Sequence, residues 1–102
     1  MSYKRLDSLE GKVAVITGCV GEIGFATATR LAERGAIIVG LDRRPNSDCQ
    51  PIMDTLPNAN RLKHTAIYSP INDSKLLNAA AEQVKKQFGR CDIVVNCAGL
   101  TK

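Results

Sequence analysis

Aromatic residues are scarce: 102 positions hold no tryptophan, two tyrosines and two phenylalanines. A nucleic-acid-binding surface combines a basic face with aromatic platforms for the bases. Here the net charge of +4 is spread over Lys85, Lys86, Arg90 and the two ends rather than gathered in one run. Nucleic acid is therefore set aside as a partner. Long apolar runs are missing too, since none approaches the roughly 20 residues that span a bilayer. No leader-like apolar segment opens the chain, so the expected compartment is the cytoplasm and no membrane partner is expected. Histidine occurs once, at His64; an isolated histidine among apolar neighbours reads as a strand residue, and no metal site is expected. Cys19, Cys49, Cys91 and Cys97 include no C-x-x-C pair. Two disulfides are arithmetically possible, but free thiols in a reducing compartment fit the rest of the composition better. Repeats, low-complexity segments and linkers are absent, so residues 1–102 form one unit at most. Apolar and charged fractions of 44% and 24% are those of an ordinary globular chain.

What is present centres on Lys12 to Gly24, K-V-A-V-I-T-G-C-V-G-E-I-G. Val13 to Ile16 is a β-branched apolar run, the form of a strand buried on both faces. Gly18, Gly21 and Gly24 follow, and then a helical pattern begins. Strand, glycine loop and helix form the context in which such a loop holds a dinucleotide pyrophosphate. Gly18 suits the tight turn off the strand, Gly21 lets backbone N–H groups approach the phosphates, and Gly24 lets the helix pack close. The helix N-terminus adds unpaired N–H groups and a partial positive charge. Asp42 closes the next apolar strand, 18 residues past Gly24. A carboxylate there accepts hydrogen bonds from ribose hydroxyls and repels a 2′-phosphate. The plain alternative is a generic strand-to-helix turn with a solvated aspartate.

In chain order, Leu6 and Leu9 dock a polar lead-in, and Lys12 to Thr17 forms the first strand. Ile23 to Arg34 reads as a helix with Ile23, Thr27 and Leu31, beside Ala28, as its inward stripe, ended by Gly35. Ala36 to Leu41 is the second strand. Pro45 and Asn46 mark a loop, and Asp48 to Leu56 reads as a short helix, disfavoured by Pro51 and ended by Pro57. Leu62 to Ile67 is the third strand, whose Lys63 and His64 suit a sheet edge. Ser74 to Phe88 is a helix capped by Asp73, with Leu77, Ala80, Ala81, Val84 and Phe88 inward. Asp92 to Val95 is the fourth strand. This alternation predicts an α/β fold with a parallel, doubly wound sheet.

Three stretches resemble the short-chain dehydrogenase/reductase family: Leu9 to Gly24, Val39 to Arg43 (V-G-L-D-R) and Phe88 to Gly99 (F-G-R-C-D-I-V-V-N-C-A-G). Their order and spacing cover essentially the whole chain. The resemblance implies a Rossmann-like sheet of order 3-2-1-4, incomplete here, belonging to the N-terminal part of a dinucleotide-binding domain. It implies NAD as cofactor, with NADP the weaker candidate, held by Thr17, Gly18, Gly21, Ile23 and Gly24 at the pyrophosphate. Asp42 and Arg43 would clamp the adenosine ribose and Ile71 would meet the adenine. Asn96 would brace the central strands near Thr17, and Ala98 and Gly99 would pass beside the cofactor ribose. For the full-length form it implies hydride transfer to or from an alcohol or ketone substrate, in a homo-oligomer.

Three departures from the family pattern stand out. Thr17 to Gly24 reads T-G-x-x-G-x-x-G, the spacing of the extended, sugar-nucleotide-modifying members. N-C-A-G at Asn96 to Gly99 resembles the shorter branch, to which the chain is closer. Glu22 stands where that branch has glycine, and is expected to point to solvent, because a carboxylate beside a pyrophosphate is costly. Ser69-Pro70-Ile71 replaces an Asp-Val pair, which removes a side-chain contact to the adenine. The family's catalytic Ser and Tyr-x-x-x-Lys are missing: four residues after Tyr3 and Tyr68 stand Asp7 and Asn72. No catalytic residue is assigned within this chain. A non-catalytic nucleotide-binding module, or an interaction module reusing the fold, is the alternative.

Overall fold

Val13–Thr17 is buried at every position, as the unbroken apolar run predicts, and this strand, β1, has a partner on each side. The computed structural model describes residues 8–58, 63–68 and 74–97, with the backbone alone at 74–77 and 80. After β1 come α1 (Glu22–Glu33), β2 (Ile37–Asp42), α2 (Asn46–Met53), β3 (Thr65–Tyr68), α3 (Ser74–Phe88) and β4 (Ile93–Asn96). The strand order is β3-β2-β1-β4 and every pairing is parallel. This is the expected Rossmann-like sheet of order 3-2-1-4.

Two apolar clusters follow from the two-residue period of the strands. Ala14, Ile16, Ile38 and Ala66 face Ala28 and Ala32 of α1 and Cys49 and Met53 of α2. Val13, Val15, Val39 and Leu41 face Val84 and Phe88 of α3. Right-handed crossovers require this division, because the chain moves one way through β1, β2 and β3 and then returns to place β4 beside β1. Each fully buried Val or Ile contributes about 1.5–3 kcal/mol, so β1 is the energetic centre of the sheet.

The inward face of α1 carries Ala28 and Leu31 as expected and differs from expectation at Ile23. Gly24, Ala28 and Ala32 are buried, whereas Ile23 is 43% exposed. A Cβ at Gly24 would collide with the Gly18 carbonyl group, its carbon only 2.8 Å away. The helix therefore approaches the loop and sheet with its smallest residues, and Ile23 is turned away from the core. Thr27 uses its hydroxyl on the Ile23 carbonyl at 2.9 Å. In α3 the expected inward residues Val84 and Phe88 do pack on the sheet, while the side chains of Leu77 and Ala80 lie outside the described residues. Asp73 and Leu6 lie outside them as well.

Strand β3 starts at Thr65 rather than Leu62 because His64 joins the sheet through its ring. The Ile38 N–H donates to His64 Nδ1 at 3.0 Å, and Nε2 reaches the Pro57 carbonyl at 2.7 Å. Accepting at Nδ1 places the proton on Nε2, which donates to Pro57. The ring thus replaces a strand carbonyl where the chain diverges from β2. On its other side β3 is sealed by Gln50 of α2: the Ala66 N–H donates to Oε1 at 2.8 Å, and Nε2 donates to the His64 carbonyl at 2.9 Å. A side-chain amide thereby occupies the edge that a neighbouring strand would pair with.

Helix α2 begins two residues earlier than Asp48, capped by Pro45, whose fixed φ suits that position. Pro51 lies within it and forfeits only the bond to the Ser47 carbonyl. Past Met53 the chain continues with shorter turns, the Thr55 and Leu56 N–H groups donating to the Ile52 and Met53 carbonyls, each at 3.1 Å. At the other end of the sheet, Asp92 joins β4 to β1. Its N–H donates to the Val13 carbonyl at 2.9 Å, and its Oδ2 accepts the Val13 N–H at 2.9 Å.

Candidate nucleotide-binding site

Thr17, Asp42 and Asn96 end β1, β2 and β4, and parallel pairing puts all three at one end of the sheet. In open α/β sheets this carboxyl end is where ligands bind, at the point where the strand order reverses. The reversal lies between β1 and β4.

The glycine loop leaves β1 there. Gly18 has φ +64°, a left-handed conformation that glycine adopts without steric cost. Its N–H donates to the Leu41 carbonyl at 2.7 Å, tying the loop to β2. The Gly21 N–H returns to the Gly18 carbonyl at 3.0 Å, and the Gly21 carbonyl accepts the Phe25 N–H at 2.8 Å. Gly21 is the N-cap of α1 and, having no side chain, leaves the first-turn N–H groups uncapped. Those N–H groups and the helix dipole face the loop, the arrangement that receives an anion. Glu22 is exposed, as expected for a carboxylate that keeps clear of that position.

Beside the loop, the Thr17 hydroxyl donates to Asn96 Oδ1 at 2.6 Å and accepts the Cys97 N–H at 3.0 Å. Asn96 therefore braces Thr17 across the strand reversal, as the resemblance implies. Cys19 is fully buried beneath the loop, and burial, then the Asp42 charge, push its thiol up to about 12.

Asp42 is 8% exposed. Its Oδ1 accepts the Arg44 N–H at 2.9 Å, a local aspartate turn that reverses the chain off the strand. The Arg43 and Arg44 residues are exposed. Tyr68 stands in register with Asp42 on β3 and is 52% exposed. The Cys49 thiol donates to the Arg44 carbonyl at 3.6 Å, a contact with no signature in the sequence. Burial and then Asp42 raise the Cys49 thiol as well. The Asp42 turn, by contrast, has a local sequence signal, an aspartate leading into Arg43-Arg44-Pro45, which the loop assignment from Pro45 and Asn46 left unused.

The structure thus gathers Thr17, Gly18, Gly21, Ile23, Gly24, Asp42, Arg43 and Asn96 around one end of the sheet. Ile71, Ala98 and Gly99 lie outside the described residues. Among the described residues no group of three His, Cys, Asp or Glu side chains is placed to hold a metal ion, and no helix is long and apolar enough to cross a membrane.

A family model described as short chain dehydrogenase matches residues 12–102. The chain is 41% identical over 95 residues to 3-hydroxyacyl-CoA dehydrogenase type-2 of Rattus norvegicus, covering 91% of this chain and 34% of that protein. Among solved structures, the NADPH-dependent 3-quinuclidinone reductase from Rhodotorula rubra superimposes with a TM-score of 0.72 at 32% identity, covering 85% of this chain and 32% of the other. The 3-ketoacyl-(acyl-carrier-protein) reductase from Brucella melitensis complexed with NADH gives a TM-score of 0.65 at 32% identity, covering 85% and 34%. The chain spans about a third of the length of the curated relatives it matches.

Proposed function

The chain belongs to the short-chain dehydrogenase family, and we propose that it forms the NAD-binding part of an oxidoreductase acting on an alcohol or ketone. The carrying observation is the pairing of an uncapped helix N-terminus at Gly21 with the Asp42 carboxylate at the end of β2. One suits a pyrophosphate, the other the ribose hydroxyls of the same dinucleotide.

The residues present fit such a cofactor. Gly18, Gly21 and Gly24 keep the loop clear of side chains, and a Cβ at Gly24 would meet the Gly18 backbone. The first-turn N–H groups of α1 would hold the pyrophosphate, with Thr17 and Ile23 beside it. Asp42 would accept from the ribose hydroxyls, with Arg43 next to it. Ile71 would meet the adenine, Asn96 would brace Thr17 beside the site, and Ala98 and Gly99 would pass beside the cofactor ribose. When bound, the nicotinamide donates or accepts hydride.

NAD is favoured over NADP because a 2′-phosphate would meet the Asp42 charge. Arg43 and Arg44 act in the opposite sense, since a neighbouring guanidinium accommodates that phosphate. The solved relatives include an NADPH-dependent enzyme and an NADH complex, so this chain's own residues carry the choice.

Residues 1–102 act here as the N-terminal part of a dinucleotide-binding domain. The proton-transfer Tyr-x-x-x-Lys and its Ser partner have no counterpart among them, so catalysis is assigned to the full-length form, a cytoplasmic homo-oligomer. The same missing groups favour a second reading, a nucleotide-binding module without turnover. A Tyr-x-x-x-Lys downstream of Lys102 in the coding sequence selects the enzyme.

Calorimetric titration of NAD into the chain tests binding. Saturable binding is expected, and Gly24→Val abolishes it by displacing the loop. A folded chain that gives no heat with NAD contradicts the proposal.

A further inference from the structure

The Arg44 backbone is held at both its polar groups. Its N–H donates to Asp42 Oδ1 at 2.9 Å, and its carbonyl accepts the Cys49 thiol at 3.6 Å. Cys49 is 1% exposed and sits on α2, packed in the same cluster as Cys19 and Met53. The first turn of α2 therefore anchors the loop that turns Asp42.

This anchoring separates the two carboxylate oxygens. Oδ1 is committed to Arg44, while Oδ2 carries no hydrogen bond to the described residues. Among those residues no buried side-chain oxygen or nitrogen is left without a partner, so Oδ2 is the oxygen that reaches solvent. The same anchor fixes where the Arg44 side chain leaves the backbone.

We propose that Cys49 is a positioning residue for the cofactor's adenosine end: through the Arg44 backbone it aims Asp42 Oδ2 at the ribose hydroxyls and sets the preference for an unphosphorylated 2′-hydroxyl. The inference rests on the assignment of Asp42 to the ribose. Without the thiol, the Arg44 carbonyl loses its partner in the fold, the carboxylate swings, and the Arg44 guanidinium gains freedom to meet a 2′-phosphate. The thiol acts through a weak hydrogen bond and not as a nucleophile.

The test compares NAD and NADP affinities, and exchange of the Arg44 amide, in the chain and in Cys49→Ala, Cys49→Val, Cys49→Ser and Asp42→Asn. Cys49→Ala is expected to lower the NAD:NADP affinity ratio by about two- to threefold, the low end of what one hydrogen bond is worth. The Arg44 amide exchanges faster while amides of β1 keep their protection. Cys49→Val fills the space without donating and gives the same result, which separates the hydrogen bond from a cavity effect. Cys49→Ser donates from the same place and restores both readouts. An unchanged ratio and unchanged Arg44 exchange in Cys49→Ala and Cys49→Val, while Asp42→Asn collapses the ratio, overturns the inference alone. A ratio that Asp42→Asn leaves intact overturns the ribose assignment beneath it.

Discussion

Thr17 and Asn96 face each other in the parallel register of β1 and β4, and the Thr17 hydroxyl donates to Asn96 Oδ1 at 2.6 Å. The Thr17 hydroxyl oxygen also accepts the Cys97 N–H at 3.0 Å, so one hydroxyl closes the sheet where its strand order reverses. Thr17→Val keeps the shape and removes both bonds, leaving a buried N–H without its partner. A loss of about 1–3 kcal/mol is expected, read as a lower urea midpoint, with Thr17→Ser close to the unsubstituted chain. Equal midpoints for Val and Thr would remove the brace from the account.

Asp92 joins β4 to β1 and carries the acid sensitivity of that edge. The Arg90 guanidinium beside it, at 2.7 Å, and the Val13 N–H hold its carboxyl down at about 2. A carboxyl lowered on folding stabilises above its unfolded value and loses that contribution on acidification. Stability therefore falls between about pH 4 and about pH 2. In Asp92→Asn that part of the acid transition should disappear; an identical acid profile would assign it to other carboxyls.

The four cysteines are free thiols, three buried and Cys91 half-buried. Alkylation of the folded chain at neutral pH should label Cys91 first, and urea should release the other three. Burial and the Asp42 charge raise Cys19 to about 12, so the folded state holds that proton after the unfolded thiol has lost it. Its contribution to stability is intact below about pH 9 and is lost as pH rises toward about 12. Fewer than four labelled thiols in unfolded, unreduced chain would show a disulfide and overturn this.

Much of this architecture was legible in the residues. The apolar runs at Val13 to Ile16 and Ala36 to Leu41, the glycine spacing and Asp42 pointed to the strands, the loop and the end of the sheet where the site lies. Periodicity misjudged Ile23 in α1, because it favours large apolar residues, whereas Ala28 is buried and Leu31 packs against the core as expected, and close approach to the Gly18 backbone selects Gly24. It also placed the start of β3 too early, since no propensity records that the His64 ring replaces a carbonyl of the ladder. The Cys49 contact to Arg44 depends on how α2 packs, and no local pattern carries that.

The β4 edge should associate. Among the described strands it pairs with β1 alone, and Val94 is 47% exposed on a β-branched strand, a template for pairing with another chain. The opposite edge differs, because Gln50 covers β3. Sedimentation is expected to show dimers or larger species growing with concentration, and Val94→Lys to suppress them at little cost in stability. A monomer at every concentration would contradict this.

The central claim is that Asp42 reads the adenosine ribose, and side-by-side calorimetric titration of NAD and NADP tests it most directly. NAD is expected to bind more tightly, with Asp42→Ala narrowing the difference by weakening NAD and relieving the repulsion of the 2′-phosphate. Tighter binding of NADP to the unsubstituted chain, or a preference that Asp42→Ala leaves unchanged, would contradict it.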